Sequence, residues 1–311
     1  MNILHLRYAV EVERTRSISK AAENLFMNQS NLSRSIRELE QSLGITLFKR
    51  TSKGMIPTTQ GEDFLRHAKR IIAEIDEVEA LYKNGGDGKV RFSVSVPRAS
   101  YISAAFADFA AELPDGPAEV YYKETNSLRA INNLLESNYR LGIIRFQTTF
   151  ESYFKAMLHE KDLQSEPIAD YACRLLIRAD DPLARRGEIA ISDLADYTEI
   201  GNPDHYVPSL PFTDVIKAET SEVVTRRIYV YERASQFDIL SKVPRTFMWV
   251  SSIPADLLEK YGLCQLPCAE GERVYRDLLI YRKGYHFTPL DRRFIQLVQA
   301  HKTVLDLRES K

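Results

Sequence analysis

The stretch NQSNLSRSIRELEQSLGITLFKR, residues 28–50, combines an apolar stripe with a polar and basic outer face. Its apolar residues recur at intervals of four, three and four, as on one side of a helix: Leu32, Ile36, Leu39 and Leu43. The polar and basic residues fall on the opposite side: Ser30, Ser33, Arg34 and Arg37. Asn28 is expected to cap this helix and Gly44 to end it. The segment therefore predicts an amphipathic helix with a polar, basic face directed away from its core.

A shorter helix and a strand pair are predicted on either side of this segment. Before it, Ser19 can cap KAAENLF, residues 20–26, whose paired alanines let another helix approach closely. MNQS, residues 27–30, is the predicted connection between the two helices. After it, ITLFKRTSKGMIPTTQG, residues 45–61, predicts two short strands around Ser52-Lys53-Gly54. Two helices joined by a short connection and followed by a strand pair are typical of a winged helix-turn-helix.

The outer face carries side chains that suit the major groove of DNA. Short side chains let the backbone approach, while Gln and Asn can pair with adenine and Arg with guanine or phosphate. The expected base-contacting residues share these properties: Gln29, Ser30, Asn31, Ser33 and Arg34. Arg50 and Lys53 on the wing, with Lys49, are better placed for phosphates, which fix register without reading sequence. The alternative is an ordinary solvated helix with surface charges.

Charge and composition support a polyanionic partner for the N-terminal region. Residues 1–60 hold nine Lys and Arg against five Asp and Glu, although the formal net charge of all 311 residues is -1. No run of eighteen apolar residues and no secretory signal is found, which predicts a cytoplasmic protein without a membrane partner. Cys173, Cys264 and Cys268 cannot pair evenly, and no histidine nearby completes a zinc site. We therefore expect no metal and no cofactor.

Residues 58–84 predict one long helix. Its apolar residues alternate at intervals of four and three, which is the spacing of a coiled-coil seam: Phe64, Ala68, Ile71, Ile75, Val78 and Tyr82. This seam predicts that two copies of the chain pair here; the alternative is packing of the helix on its own C-terminal domain. NGGDGK, residues 84–89, then reads as a linker. The predicted divisions are a DNA-binding domain at 1–60, a dimerisation helix at 61–87 and a third domain at 88–311.

The third domain alternates strands with helices, which favours parallel sheets covered on both sides. A crossover near LQSEP, residues 163–167, and a returning strand, VYRDLLIYR at 274–282, divide it into two lobes. Lobe I is predicted at about 88–163 and 268–311, and lobe II at about 164–267. Thr288 as cap and Pro289 as first residue predict a closing helix. The predicted fold class is α/β multidomain, with a cleft between two C-terminal lobes.

The segment SISKAAENLFMNQSNLSRSIRELEQSLGITLFKRTSKGMIPTTQGEDFL closely resembles the winged helix-turn-helix of LysR-type transcriptional regulators. It has the paired alanines, Gln–Ser–x–Leu–Ser–Arg, Leu–Glu before Leu–Gly, Leu–Phe–x–Arg and Thr–x–x–Gly. Weaker similarity covers essentially the whole chain, although Ser30 stands where the family often has Pro. The resemblance implies a bacterial regulator with a type II periplasmic-binding-protein-like effector domain. It also implies double-stranded DNA with a dyad-symmetric operator and a homodimer or homotetramer as partners, and leaves RNA polymerase open as another.

The resemblance further places a small-molecule effector between the lobes. The family's ligand-binding loops correspond to Ser100, Asn126, Ser127, Gly201 and Asn202. The usual Glu–Gly of one loop is Glu124–Thr125 here, so its backbone is expected to differ. The serines can open helices where an anion is favoured, and Arg98 and Arg145 can bind a carboxylate. A small anionic effector is our hypothesis; surface salt bridges by the arginines and ordinary capping by the serines are the alternatives.

Two other classes of protein compete with a DNA-binding regulator. An enzyme is disfavoured because the chain has no HExxH, no GxSxG, no phosphate-binding glycine loop and no recognisable acid pair. A binding protein whose N-terminal helices serve only for oligomerisation is the second rival. Salt dependence separates this second rival from a DNA-binding regulator, because only a DNA binder loses affinity steeply as salt rises.

Overall fold

The computed structural model describes residues 2–52, 54–83, 89–137, 139–186, 189–203, 223–268 and 274–302, with the backbone alone at 70, 73, 74 and 76–83. The chain divides into two compact units, Met1–Lys89 and Val90–Lys311. No helix in the described part of the chain is both long and apolar enough to cross a membrane.

The first unit has a helical core followed by a hairpin and a long helix. Its elements are α1 Ile3–Thr15, α2 Ile18–Asn24, α3 Gln29–Leu43, β1 Phe48–Thr51, β2 Gly54–Pro57 and α4 Thr59–Lys83. The predicted bounds of α3 are confirmed, since Asn28 occupies the cap position and Gly44 ends the helix in the left-handed conformation. The strands β1 and β2 pair antiparallel, as expected of a wing. Lys53 lies outside the described residues.

Two local predictions around α2 were wrong. Ser17, not Ser19, caps α2, because its hydroxyl accepts a hydrogen bond from the Lys20 amide. The connection between α2 and α3 is residues 25–28, not 27–30. Its early start has a physical reason, since Phe26 adopts a φ of 51°, which a helix cannot accommodate.

The core of the first unit unites α1, α2, α3, β1 and α4. Its buried side chains are Ala9, Val12, Ala21, Ala22, Leu32, Ile36, Leu39, Leu47, Phe48 and Leu65. Phe64 packs against this core and Ala68 is fully buried, so neither seam position is exposed. Ile71 is the first seam residue with a large exposed fraction, 39%. The side chains of Val78 and Tyr82 and residues 84–88 of the linker lie outside the description.

The second unit contains two sheets with helices on their faces. The elements built around the first sheet are β3 Val90–Val96, α5 Ser100–Ala111, β4 Ala118–Glu124, α6 Ser127–Glu136, β5 Leu141–Gln147, α7 Glu151–Glu160, β6 Leu163–Ala172, β12 Val274–Arg282 and α10 Pro289–His301. Those of the second sheet are β7 Arg174–Arg178, β8 Thr198–Gly201, β9 Arg226–Tyr229, α8 Arg233–Lys242, β10 Thr246–Val250, α9 Ala255–Tyr261 and β11 Leu263–Leu266. Short 3-10 turns lie at Thr148–Phe150, Pro182–Arg185 and Ile191–Leu194.

Both sheets are mixed, whereas the sequence predicts parallel sheets. The first has the strand order β4-β3-β5-β12-β6, and the second β11-β7-β10-β8-β9. Parallel pairing holds within β4-β3-β5 and β10-β8-β9, where helices connect the strands. In contrast, β12 runs antiparallel to β5 and β6, and β7 antiparallel to β10 and β11. A strand–helix–strand unit places its two strands parallel. The strands β7 and β12 enter their sheets from the other lobe and form no such unit with the strands beside them, so they can run antiparallel to these.

The predicted crossover near LQSEP was wrong. These residues belong to β6, which pairs with β12 along the edge of the first sheet. The first sheet therefore continues to Ala172, and the chain passes to the second sheet at Cys173, later than the predicted start of lobe II at 164. Pro167 can lie in β6 because β6 is an edge strand. The register shift beside Pro167 interrupts the alternation of apolar and polar residues, which is why the sequence did not predict a strand here.

The closing helix α10 follows its prediction. Pro289 is its first residue, and the Thr288 hydroxyl accepts from the Asp291 amide while the Asp291 carboxylate accepts from the Thr288 amide. Phe294 of α10 packs with Phe92 and Phe109 in the core beneath β3 and α5. This packing holds the last turn of α5 against the first sheet.

Candidate functional site

The outer face of α3 presents the side chains that the sequence assigns to DNA. Gln29, Ser30, Asn31 and Arg34 are exposed and Ser33 is half-buried. The Arg34 guanidinium forms an ion pair with Glu38 one turn later, with Nε 3.0 Å from Oε1. The two side chains are 79% and 48% exposed, so the pair contributes little to stability. Arg34 can therefore leave Glu38 for a stronger anionic partner.

The wing is tied to α3 through a single carboxylate. Glu40 Oε1 accepts hydrogen bonds from the amides of Leu47, at 2.7 Å, and Phe48, at 3.2 Å. Lys49 and Arg50 follow directly and are exposed on β1. Because Glu40 holds the first residues of the wing, the basic side chains of β1 keep a fixed position relative to the outer face of α3.

Replacing Glu40 with alanine is expected to lower the free energy of unfolding of the first unit by about 1–3 kcal/mol, because two backbone amides lose their acceptor. Glu23→Ala, at an exposed glutamate on α2, is the matched control and should change it by less than about 0.5 kcal/mol. Chemical denaturation followed by far-ultraviolet circular dichroism measures both. Equal shifts for the two variants would contradict the role of Glu40.

A cavity of about 260 Å³ lies between the two sheets of the second unit. Six of the seven predicted effector-binding residues line it: Arg98, Asn126, Ser127, Arg145, Gly201 and Asn202. The seventh, Ser100, is buried at the start of α5, and its hydroxyl accepts a hydrogen bond from Arg233, another lining residue. Positions at or just after the carboxyl ends of β3, β4, β5 and β8 thus surround one cavity, which we call the cleft.

Arg145 is not the charged clamp that the sequence suggests, because its charge is already neutralised. Its Nε and Nη2 donate to the two oxygens of Asp277 at 2.8 and 2.7 Å. Asp277 is fully buried, and the Tyr101 hydroxyl also donates to its carboxylate, at 2.5 Å. Burial alone would lower the pKa of Arg145, but the nearby Asp277 carboxylate outweighs it and raises this pKa well above its ordinary value. The pair is therefore a buried salt bridge and not a surface one.

The polar side chains at the start of α6 mostly form hydrogen bonds with backbone groups. The Ser127 hydroxyl donates to the Arg145 carbonyl at 2.6 Å and accepts from the Arg145 amide at 3.0 Å. Asn126 caps α6, with Oδ1 accepting from the Arg129 amide at 2.9 Å. In the second lobe, Asn202 Nδ2 donates to the Tyr231 carbonyl at 3.2 Å. These contacts shape the wall of the cleft.

Arg233, which no sequence pattern singled out, reaches across the cleft. It is the first residue of α8 in the second lobe, yet it donates to Ser100 Oγ, and its Nη1 lies 3.4 Å from Glu124 Oε1 in the first lobe. Burial lowers the pKa of Arg233, and Glu124 does not offset this effect. The rule that selects Ser100 and Ser127, the first helical residue after a strand, would also have selected Arg233 after β9.

The cleft also contains a second ion pair and many aromatic rings. Arg227 Nε donates to Glu199 Oε2 at 3.1 Å on neighbouring strands of the second sheet. The aromatic lining residues are Phe146, Phe150, Phe154, Tyr171, Tyr229, Phe237, Trp249 and Tyr275. Periodicity assigns such rings to the core, which is why they were missed. Within the described ranges no cluster of three or more His, Cys, Asp or Glu could hold a metal ion.

Comparisons with known proteins match both units. Residues 3–62 match the family model described as a bacterial regulatory helix-turn-helix protein of the lysR family, and residues 83–303 match the LysR substrate binding domain. The HTH-type transcriptional regulator AlsR of Bacillus subtilis is 25% identical over 310 residues, 97% of each chain.

Solved structures have the same fold at lower sequence identity. ArgP from Mycobacterium tuberculosis is 18% identical with a TM-score of 0.61 over 96% of each chain. The full-length regulator LysG from Corynebacterium glutamicum, solved with its bound effector Arg, is 13% identical with a TM-score of 0.60, over 97% of this chain and 98% of its own.

Proposed function

Because the chain belongs to the LysR family of bacterial regulatory helix-turn-helix proteins, we propose that it binds its operator through α3 and the wing, under control of a small anion in the cleft. Proteins of this family are transcriptional regulators, so the chain is a DNA-binding transcriptional regulator and not an enzyme. A cytoplasmic location, where bacterial DNA lies, is part of the proposal. The observation that carries the DNA assignment is the exposed polar and basic outer face of α3, joined to a basic wing.

The DNA contacts follow from the exposure of these side chains. Gln29, Ser30, Asn31 and Ser33 lie on the first turns of α3, which enter the major groove in helix-turn-helix proteins. Arg34 reaches further, toward guanine or phosphate, and Arg50 of the wing toward phosphate. Two copies of the unit would meet half-sites about 34–36 Å apart, or a multiple of that spacing, so the operator should have dyad symmetry.

Arg34→Ala is expected to weaken operator binding by about 1–3 kcal/mol and to relax discrimination at one base pair, if Arg34 contacts a base. The operator is first selected from sheared genomic DNA by sequencing the fragments that the purified protein retains. Fluorescence anisotropy on the selected site and on its single-base variants then measures affinity and discrimination.

Arg14→Ala is the matched control for this measurement. Arg14 also pairs with a glutamate of its own helix, Glu11 on α1, and its side chain is 65% exposed, but it lies off the outer face of α3. We expect the Arg14 variant to bind the operator as the unchanged protein does. If the Arg34 variant binds more weakly but discriminates between bases as before, Arg34 contacts a phosphate. The slope of log affinity against log salt concentration should then be smaller by about one in the variant. Equal affinities for both variants would contradict the proposed DNA-binding face.

Pairing of two chains through α4 is part of the proposal. Ile71 is 39% exposed although it is a large apolar residue, and Ile75 lies one turn further along the same predicted seam. Earlier seam positions are used within the first unit, so the proposed contact begins at Ile71. A homodimer built here would present two copies of α3 to one operator, and a homotetramer would present four.

The charges around the cleft support an anionic effector. Four arginines line it, namely Arg98, Arg145, Arg227 and Arg233. Three of them pair with a carboxylate, Arg145 with Asp277, Arg227 with Glu199 and Arg233 with Glu124, so the cleft is lined by guanidinium groups that an anion could share. An anion bound here would contact both lobes, so its binding can favour one arrangement of the lobes over another.

A further inference from the structure

The side-chain amides inside the second unit differ in how fully they are hydrogen-bonded. Away from the cleft, the buried Asn133 donates through Nδ2 to the Ser95 hydroxyl at 2.9 Å and accepts through Oδ1 from the Lys123 ammonium at 3.3 Å. Gln265 is likewise bonded at both ends of its amide. Most buried polar groups of proteins are bonded in this way. The two buried glutamines that line the cleft differ from this pattern.

Gln236 on α8 uses only one end of its amide. It lines the cleft, although only 4% of the residue is exposed. Its Nε2 donates to the Val230 carbonyl at 3.0 Å. Because a carbonyl can only accept, this contact fixes which end of the amide is the nitrogen. No group in the described part of the chain donates to the other end, Oε1. Gln236 therefore offers a buried hydrogen-bond acceptor to a molecule in the cleft.

Gln147, the last residue of β5, lines the same cleft from the first lobe and is 9% exposed. The contact of its amide is with the Tyr275 hydroxyl, 3.2 Å from Nε2. A hydroxyl both donates and accepts, so whichever end of the amide it contacts, the other end has no partner among the described residues. Each lobe thus presents one buried amide with an unused end to the cavity. A ligand that supplies the missing partner removes the cost of an unpaired buried group.

The charges around the cleft indicate which kind of donor suits Gln236. An ammonium group on a ligand would bind most strongly to a carboxylate. The carboxylates beside the cleft, Asp277, Glu199 and Glu124, are each paired with an arginine. A neutral O–H or N–H group, in contrast, matches a neutral amide oxygen. The volume of about 260 Å³ restricts the ligand that carries this group to a small molecule.

We propose that the effector is a small acid with a neutral hydrogen-bond donor, a hydroxyl or an amide N–H, and that Gln236 recognises this donor through Oε1. A site built to hydrogen-bond such a group rejects the analogue that lacks it, because the polar group of the protein then stays buried and unpaired. Gln236 is thus a specificity-determining residue. This inference rests on the proposed function of the cleft as an anion site, and it adds the class of acid and the residue that selects it.

Calorimetric titration of the full chain with matched pairs of acids tests this proposal. The two acids of a pair carry the same charge at neutral pH, and only the first has the donor: L-malate and succinate, 4-hydroxybenzoate and benzoate, N-acetylglycine and levulinate. In at least one pair, the acid with the donor should bind at least about tenfold more tightly. Gln236→Met should bring this ratio to about one and leave the affinity for the other acid within about twofold.

Two further variants accompany Gln236→Met. Gln296→Met, at an exposed glutamine of α10, is the matched control and should keep the affinity ratio of the unchanged chain. Gln236→Asn keeps the amide but withdraws it by one carbon, so it should lower the ratio as well. It takes the place of Gln236→Met if that variant does not fold, which the fluorescence of Trp249 reports.

The outcomes separate the proposal from the function on which it rests. A ratio above tenfold in a malate or hydroxybenzoate pair assigns the donor to a hydroxyl, and one in the N-acetylglycine pair assigns it to an amide. A ratio that both Gln236 variants keep would overturn the role of Gln236. Equal or tighter binding of the acids without a donor would overturn the ligand class but leave the anion site in place. Absence of binding by every acid would overturn the proposed function of the cleft.

Discussion

Replacing Asp277 with alanine is expected to lower the free energy of unfolding of the second unit by about 3–5 kcal/mol. The change leaves Arg145, whose side chain is only 16% exposed, without its bidentate carboxylate. It also removes the acceptor of the Tyr101 hydroxyl, which is fully buried. Breaking a buried ion pair by removing one partner costs far more than the intact pair contributes, because the other charge stays buried and uncompensated.

Asp170→Ala is the matched control for Asp277. Asp170 also pairs bidentately with an arginine, Arg276, and lies in the same sheet, but its side chain is 45% exposed. Its replacement should cost less than about 1 kcal/mol. Urea denaturation followed by the fluorescence of Trp249, the single tryptophan of the chain, reports on the second unit. Costs of similar size for the two aspartates would refute the importance of burial.

Gly61→Ala is expected to destabilise the first unit by about 2–4 kcal/mol and to abolish operator binding. Gly61 lies in the first turn of α4, where a Cβ would be 2.1 Å from the Leu47 carbonyl oxygen. That oxygen also accepts from the Thr58 amide at 2.9 Å, so relief of the clash would break this hydrogen bond. In an open helix the same change would stabilise by about 0.5–1 kcal/mol, so the backbone contact decides the sign.

Gly44→Ala separates this contact from the general cost of replacing glycine. Gly44 ends α3 with a φ of 69°, and a Cβ there would meet no atom within 4 Å. We expect a cost of about 1–2 kcal/mol, from the left-handed conformation alone. Circular dichroism of the full chain should show that Gly61→Ala loses helix at a lower denaturant concentration. The unfolding transition that Trp249 fluorescence reports should keep its midpoint. A Gly61 variant as stable as the Gly44 variant would show that the start of α4 can move away from Leu47.

Local signals in the sequence predicted the first unit well. The spacing of Leu32, Ile36 and Leu39 and the glycine after Leu43 define α3, since both depend only on neighbouring residues. The Thr–x–x–Gly motif also acquires a physical reason: the Thr58 hydroxyl accepts from the Gly61 amide, and Gly61 leaves room for the Leu47 carbonyl. The predicted cap at Ser19 failed because Ser17, two residues earlier, is an equally suitable capping residue, and residue type alone does not choose between them.

The cleft could be predicted only in part. Strand ends and helix starts are local features, so most positions around the cavity followed from them. The partner of Arg145, however, is 132 residues away in the chain, on a strand that reaches the sheet from the other lobe. Sequence spacing cannot show which arginines of a site are already neutralised.

The position of β12 between β5 and β6 has a consequence for synthesis on the ribosome. The first unit is complete once residue 83 has emerged, whereas the first sheet of the second unit waits for a strand that ends at Arg282. At about 5–20 residues per second, these roughly 200 residues take on the order of 10–40 s. A nascent chain thus carries a finished helix-turn-helix well before its effector-binding unit can close. The final steps of translation determine when the regulator becomes responsive to its effector.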